Sequence, residues 1–153
     1  MTVVLRAATE GDSAGIADVL IASRRAFLAD APMAHPESDV RRWVRDTLVP
    51  SGGVTVAAEQ GAVVGFIAVH HDAPDAVGWI EQLYLAPSHV GRGIGARLLE
   101  QALAGLPATV RLYTFQTNAG ARAFYERHGF RAIAFGDGRD NEERCPDVLY
   151  ERR

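Results

Sequence analysis

Residues 78–103 read GWIEQLYLAPSHVGRGIGARLLEQAL. The apolar run Trp79–Leu85 has the length and content of a strand, and Ala86-Pro87-Ser88 turns the chain. Ile94, Leu98, Leu99, Ala102 and Leu103 then recur at helical spacing. Between strand and helix stands Gly91-Arg92-Gly93-Ile94-Gly95. Glycine in a helix interior is less favourable than alanine by up to about 1 kcal/mol, so glycines crowded at a helix start need another reason. Without side chains they let backbone N–H groups approach an anion, and the positive end of the helix dipole adds to the attraction. The stretch reads as a phosphate cradle, with Arg92 adding a positive charge at the same place.

The spacing decides which phosphate. Gly91-x-Gly93-x-x-Ala96 formally satisfies the dinucleotide pattern, which requires its first glycine directly after a strand and an acidic residue about 20 residues on. Ala86–Val90 separate the strand from Gly91, and residues 107–118 contain no Asp or Glu. A P-loop is excluded because no Gly-Lys-Ser/Thr follows.

The rest of the chain alternates β-like and helical runs. Val3–Arg6 is a short strand, Thr9-x-x-Asp12 has the form of a capping signal, and Ile16, Val19, Leu20, Ser23 and Phe27 mark a helix face. Residues 29–36 read as a loop or broken helix. Ser38 is expected to cap a second helix with Val40, Trp43, Val44 and Leu48 facing inward, stopped by Pro50-Ser51-Gly52-Gly53. Strands over 54–59 and 62–71 meet at a tight turn, Gln60-Gly61, and Gly65 marks a bulge or a closely approaching backbone. Asp72–Ala76 is a turn. Ala108–Phe115 is a strand, Asn118–His128 a helix with Asn118 at its N-cap, and 130–135 with 147–151 a closing antiparallel pair. The fold class is α/β.

Composition bounds the function. The 153 residues suit one domain spanning 1–153, and 48% hydrophobic with 23% charged residues is an ordinary globular balance. Lys+Arg 16 against Asp+Glu 19 gives a net charge of −3, which argues against nucleic acid. A lone Cys145 excludes an internal disulfide and suits a reducing, cytoplasmic setting. No apolar run reaches membrane-spanning length, and the N-terminus lacks a signal-peptide layout.

Leu83-Tyr84-Leu85-Ala86-Pro87, the Gly91–Gly95 loop, Asn118 and Phe124-Tyr125-Glu126-Arg127-His128-Gly129-Phe130 together resemble the GNAT acetyltransferase superfamily over about residues 3–135. The resemblance implies a mixed, mostly antiparallel central sheet flanked by about four helices. It implies acetyl-CoA as acetyl donor and no metal. The pyrophosphate would lie on Val90, Gly91, Arg92, Gly93, Ile94, Gly95 and Ala96. The family's Gln/Arg-x-x-Gly-x-Gly/Ala pattern is broken at its first position, Val90, which puts one side-chain contact in doubt but not the backbone ones. Leu83, Tyr84 and Leu85 would offer backbone groups to pantetheine in a gap between the strands 79–85 and 108–115, and Asn118 would stand near the cofactor.

Two residues are expected to be catalytic. Tyr125 matches the tyrosine that the family places near the cofactor sulfur, where a phenol protonates the departing thiolate; its other reading is a core aromatic. Strand alternation puts Glu81 on one face with Trp79, Leu83 and Leu85, an apolar setting that raises a carboxyl pKa and suits a general base, unless a bulge reverses the parity. His70 and His71 are alternative bases, and a metal site from His70, His71 and Asp72 is disfavoured because adjacent strand residues diverge. In the resembled fold the loops 29–36 and 136–146 border the acceptor, where Glu142, Glu143 and Asp147 would attract a cationic amine. The expected activity is acetyl transfer to a primary amine, foremost a small molecule, by direct attack. A peptide or protein N-terminus, or a non-catalytic acyl-CoA sensor, is the alternative. The acceptor's identity and the oligomeric state, a homodimer included, stay open.

Overall fold

The computed structural model describes residues 2–29, 31, 33–73 and 76–153. Parts of the loop 29–36 and of the turn 72–76 therefore lie outside the described residues. The strands are β1 (Val3–Ala7), β2 (Val54–Glu59), β3 (Ala62–His70), β4 (Gly78–Leu85), β5 (Val110–Phe115), β6 (Arg131–Gly136) and β7 (Asp147–Arg152). The helices are α1 (Ser13–Phe27), α2 (Glu37–Trp43), α3 (Ile94–Gly105) and α4 (Ala119–Arg127), and a wider-wound turn, Val44–Leu48, prolongs α2. One sheet holds all seven strands in the order β1-β2-β3-β4-β5-β7-β6. Every neighbouring pair is antiparallel except β4 with β5.

Two apolar layers cover the sheet. Ile80, Leu98, Leu99, Leu112, Tyr125, Phe130 and Tyr150 form one, under α3 and α4. Ile16, Leu20, Val44, Leu48, Val56 and Phe66 form the other, under α1 and α2. Leu98 and Leu99 are wholly buried, and a buried leucine of this kind contributes about 1.5–3 kcal/mol by desolvation. That burial supplies what the glycine-rich start of α3 lacks in propensity.

Local details depart from the sequence reading for identifiable reasons. The first residue of α2 is Glu37, with Pro36 rather than Ser38 at its N-cap. The Pro36 carbonyl accepts from the Asp39 and Val40 amides at 3.0 and 3.1 Å, which leaves Ser38 inside the first turn. Trp43 is 39% and Phe27 51% exposed, so neither faces inward as their spacing suggested. Phe27 is the last residue of α1, and beside Trp43 it is Val44, wholly buried, that takes the inward position. The Gln60-Gly61 turn has both residues at positive φ, 52° and 80°, as a two-residue hairpin turn requires. At Gly65 both alternatives hold: β2 and β3 slip register nearby, and an added Cβ would stand 2.8 Å from a Leu85 methyl and 3.2 Å from the Tyr84 carbonyl oxygen.

The pairing of β4 with β5 sets up the rest. It consists of Gly78 with Val110 and Trp79 with Arg111, and then stops. Beyond Trp79 the β5-facing edge of β4 has no strand beside it, so the sheet opens there.

Candidate functional site

Two cavities meet where the sheet opens. One, of about 780 Å³, runs under the start of α3 and along α4; Leu85, Val90, Gly91, Gly93, Gly95 and Phe124 are among its lining residues. The other, of about 640 Å³, lies towards the loop between β6 and β7 and takes in Arg24, Glu81, Tyr113, Phe115, Glu143 and Asp147. Leu83, Tyr84, Asn118, Ala121 and Tyr125 line both, which places them on the seam.

The first cavity has the character of an anion site. Gly93 caps α3 with φ 78° and no side-chain cap bond, and Gly91 has φ 77°. An added Cβ at Gly91 or Gly93 would meet no atom within 4 Å. Glycine is therefore favoured there by backbone conformation, and the space beside both residues is open. A phosphate group fits this cradle. Arg92 does not line the cavity: its guanidinium turns to Glu59, 3.9 Å away. Glu59 also accepts a hydrogen bond from His89 at 3.1 Å, which holds its carboxyl below the usual range. The charge assigned to the cradle is thus partly directed elsewhere, and the first-turn amides are left as its main donors.

Tyr125 is 7% exposed and sits edge-on to Phe124 and Phe130. Burial, and then the proximity of Tyr84, push its phenol up, so it stays protonated through the physiological range. Asn118 caps α4 by accepting from the Ala121 amide at 3.2 Å. Capping fixes this asparagine on the seam between the cavities.

Glu81 corrects one expectation. The register with β3 passes from Ala68–Gln82 to Val69–Ile80, so Glu81 is the extra residue of a bulge. Ile80, Leu83 and Leu85 consequently share the α3–α4 layer, Tyr84 joins the α1–α2 layer, and Glu81 is exposed at the wall of the second cavity. The parity reversal is real, and the apolar surroundings read from alternation are not. His70 and His71 are exposed and line neither cavity; they bond to Asp72 at 2.8 Å and to the Ala73 carbonyl at 3.2 Å. Glu143 and Asp147 line the second cavity, while Glu142 pairs with His35 at 3.1 Å over an adjoining hollow.

Arg24 was missed in the sequence. It lies four residues after Leu20 and eight after Ile16, so a charged residue interrupts the apolar face of α1. That interruption was the available signal.

The family profile of the acetyltransferase (GNAT) family matches residues 20–130. This chain belongs to that family. An uncharacterised N-acetyltransferase of Archaeoglobus fulgidus is 36% identical over 88 residues, which is 52% of this chain and 60% of that relative. Among solved structures, the PaiA N-acetyltransferase of Thermoplasma acidophilum, in complex with coenzyme A, superposes with a TM-score of 0.76 at 20% identity. The match covers 100% of this chain and 99% of that one. YjaB of Escherichia coli gives a TM-score of 0.77 at 20% identity, with 99% and 97% covered. An acetyltransferase of Thermus thermophilus gives 0.76 at 24%, with the same coverage. The GNAT-like mixed sheet and its four helices are thereby the fold of this GNAT chain. No helix among the described residues is long and apolar enough to cross a membrane.

Proposed function

We propose that this GNAT protein transfers the acetyl group of acetyl-CoA to a primary amine, foremost of a small molecule, by direct attack. The observation that carries the reading is Tyr125, a protonated phenol on the seam between a phosphate cradle and a second, acid-lined cavity. The cradle amides from Gly91 to Ala96 would hold the pyrophosphate. The unpaired edge of Leu83–Leu85 would bond the pantetheine amides as an added strand does. Held this way, the thioester would lie beside Tyr125 and Asn118.

An alkyl amine of pKa near 10.4 is almost wholly protonated at pH 7, a handicap of about 4.6 kcal/mol for the neutral nucleophile. Glu81, at the wall of the acceptor cavity, is the group we assign to remove that proton, directly or through water. The amine nitrogen bonds to the thioester carbon, the C–S bond breaks, and Tyr125 gives its proton to the departing sulfur. The proton that the nitrogen sheds on becoming an amide returns to the phenol through water, so that CoA leaves as the thiol and Tyr125 ends neutral. Backbone N–H groups around the bulge polarise the carbonyl.

The test joins titration of acetyl-CoA by calorimetry to a thiol-release assay over an amine panel. Binding with turnover on a small amine is expected, and Glu81→Gln should lower turnover at neutral pH at least tenfold while leaving acetyl-CoA affinity nearly unchanged. Binding without turnover on any amine or peptide N-terminus would replace the enzyme by a sensor domain.

A further inference from the structure

We infer that the acceptor carries an anionic group as well as its amine, of the amino-carboxylate class, and that Arg24 receives that group. The inference rests on the amine-acetyltransferase reading and names its substrate class. Arg24 lies in the last turn of α1 with its side chain only 10% exposed. Its Nη1 donates to the Tyr84 hydroxyl at 3.5 Å, and its guanidinium carbon lies 5.6 Å from the centre of the Phe115 ring. Tyr84 belongs to β4 and Phe115 to β5, so the guanidinium spans the two strands that part.

The charge is poorly compensated for its burial. Nη2 donates to the Ala31 carbonyl at 2.9 Å, a neutral partner. The ion pair with Glu143 is loose at 3.8 Å, outside hydrogen-bonding distance. Nε is the one buried side-chain nitrogen or oxygen among the described residues without a hydrogen-bond partner. A guanidinium in a low-dielectric site with an unmet donor favours an incoming carboxylate, which its planar fork matches.

The remaining charges select what carries that carboxylate. Around Arg24 the cavity presents Glu81, Asp137, Asp140, Glu143 and Asp147, with Arg139 as the other cation. This acidic wall repels a dianion and attracts an ammonium. A zwitterion satisfies both: its carboxylate meets Arg24 and its ammonium faces the acidic wall, from which Glu81 deprotonates it. Tyr113 and Phe115 leave part of the wall aromatic, suited to an apolar body between the two charges.

The experiment compares common L-amino acids with the amines left by removing their carboxyl group, in the wild type and in Arg24→Gln. An α-amino acid has the less basic amine, so a wild-type preference alone proves little, but the same pair in the variant cancels that difference. Arg24→Gln should raise KM for amino acids at least tenfold, the scale of a lost charge-assisted bond, while the decarboxylated amines change by about twofold or less. Glu143→Gln removes the competing carboxylate together with one charge of the acidic wall, a loss that both classes of amine share. The ratio of kcat/KM for amino acids to that for the simple amines should therefore rise about threefold, and an unchanged or lowered ratio overturns the inference. This second variant holds if Arg24→Gln does not fold. Equal loss on both classes, or turnover confined to simple amines, overturns the inference and leaves the transferase standing. If nothing turns over, calorimetry on the CoA-bound protein decides. Amino-acid binding lost in Arg24→Gln keeps the inference and removes the enzyme, whereas no binding of either class overturns both.

Discussion

Asp12 accepts hydrogen bonds from Arg6 at 2.7 and 3.0 Å and from the Thr9 amide at 2.8 Å, joining β1 to the start of α1. The Arg6 bond is the largest cause that holds its carboxyl at about 2, below the ordinary 3.8. A depressed carboxylate contributes stability that is full above the unfolded pKa and is lost as pH falls through the folded one. Asp12→Asn should therefore lower stability by about 1–2 kcal/mol at neutral pH, discounted because Arg6 is 40% exposed. In urea titrations the difference between wild type and variant should shrink steadily from about pH 5 downward and vanish only below the folded pKa; a difference that does not shrink between about pH 5 and pH 2 would mean lost packing. The opposite sign governs Tyr125, whose phenol is pushed up by burial. It should remain an acid to at least pH 10, so no alkaline limb of the rate profile below that pH belongs to it. Tyr125→Phe keeps the ring contacts with Phe124 and Phe130 and removes the proton donor. It should fold, bind acetyl-CoA nearly normally, and lose turnover at least tenfold, the low end of what a general acid contributes. Unchanged steady-state rates across pH would make Tyr125 a packing residue.

Helix α3 shows how an element gives up intrinsic stability for a site. Its N-cap is a left-handed glycine with no side-chain bond, and the buried pair Leu98–Leu99 anchors it to the sheet instead. Gly93→Val should be harmful twice over, by forcing a β-branched residue to φ 78° and by putting a side chain into the open space beside the proposed cradle. Acetyl-CoA affinity should fall by at least tenfold in a protein whose circular dichroism is nearly unchanged; equal affinity would remove the phosphate assignment. Elements of this kind were legible because period and punctuation agree. Apolar spacing marked α3, the glycine loop its start, and Gln60-Gly61 its own hairpin. The bulge at Glu81 was not, because one extra residue leaves no trace in composition yet moves Leu83 and Leu85 to the other layer. The site was half legible for a related reason. The residues proposed to take the donor lie in contiguous motifs, whereas Arg24 and Phe115 meet only through tertiary packing, and Arg92 is drawn off by Glu59, which is distant in sequence.

The whole molecule is a sheet in two parts, β1–β4 and β5-β7-β6, held together along the ladder by two residue pairs at one end. The opening between them is both the weak seam of the fold and the place where both cavities meet. A ligand whose pantetheine bonds to the free edge of β4 and whose phosphates lie on α3 would span that seam in the native state alone. Acetyl-CoA at about 100 times its Kd should then stabilise the protein by about 2.7 kcal/mol. For a chain of this length that corresponds to a rise in melting temperature of roughly 5–11 °C. The position of the protection separates this account from simple phosphate binding. Hydrogen exchange should slow at Leu83–Leu85 as well as at residues 91–96 when acetyl-CoA is added. Inorganic pyrophosphate, which reaches only the cradle, should protect 91–96 and leave 83–85 exchanging as in the free protein. Protection of both segments by pyrophosphate would mean that the cradle closes the seam by itself, and the added-strand role of β4 would have to be abandoned.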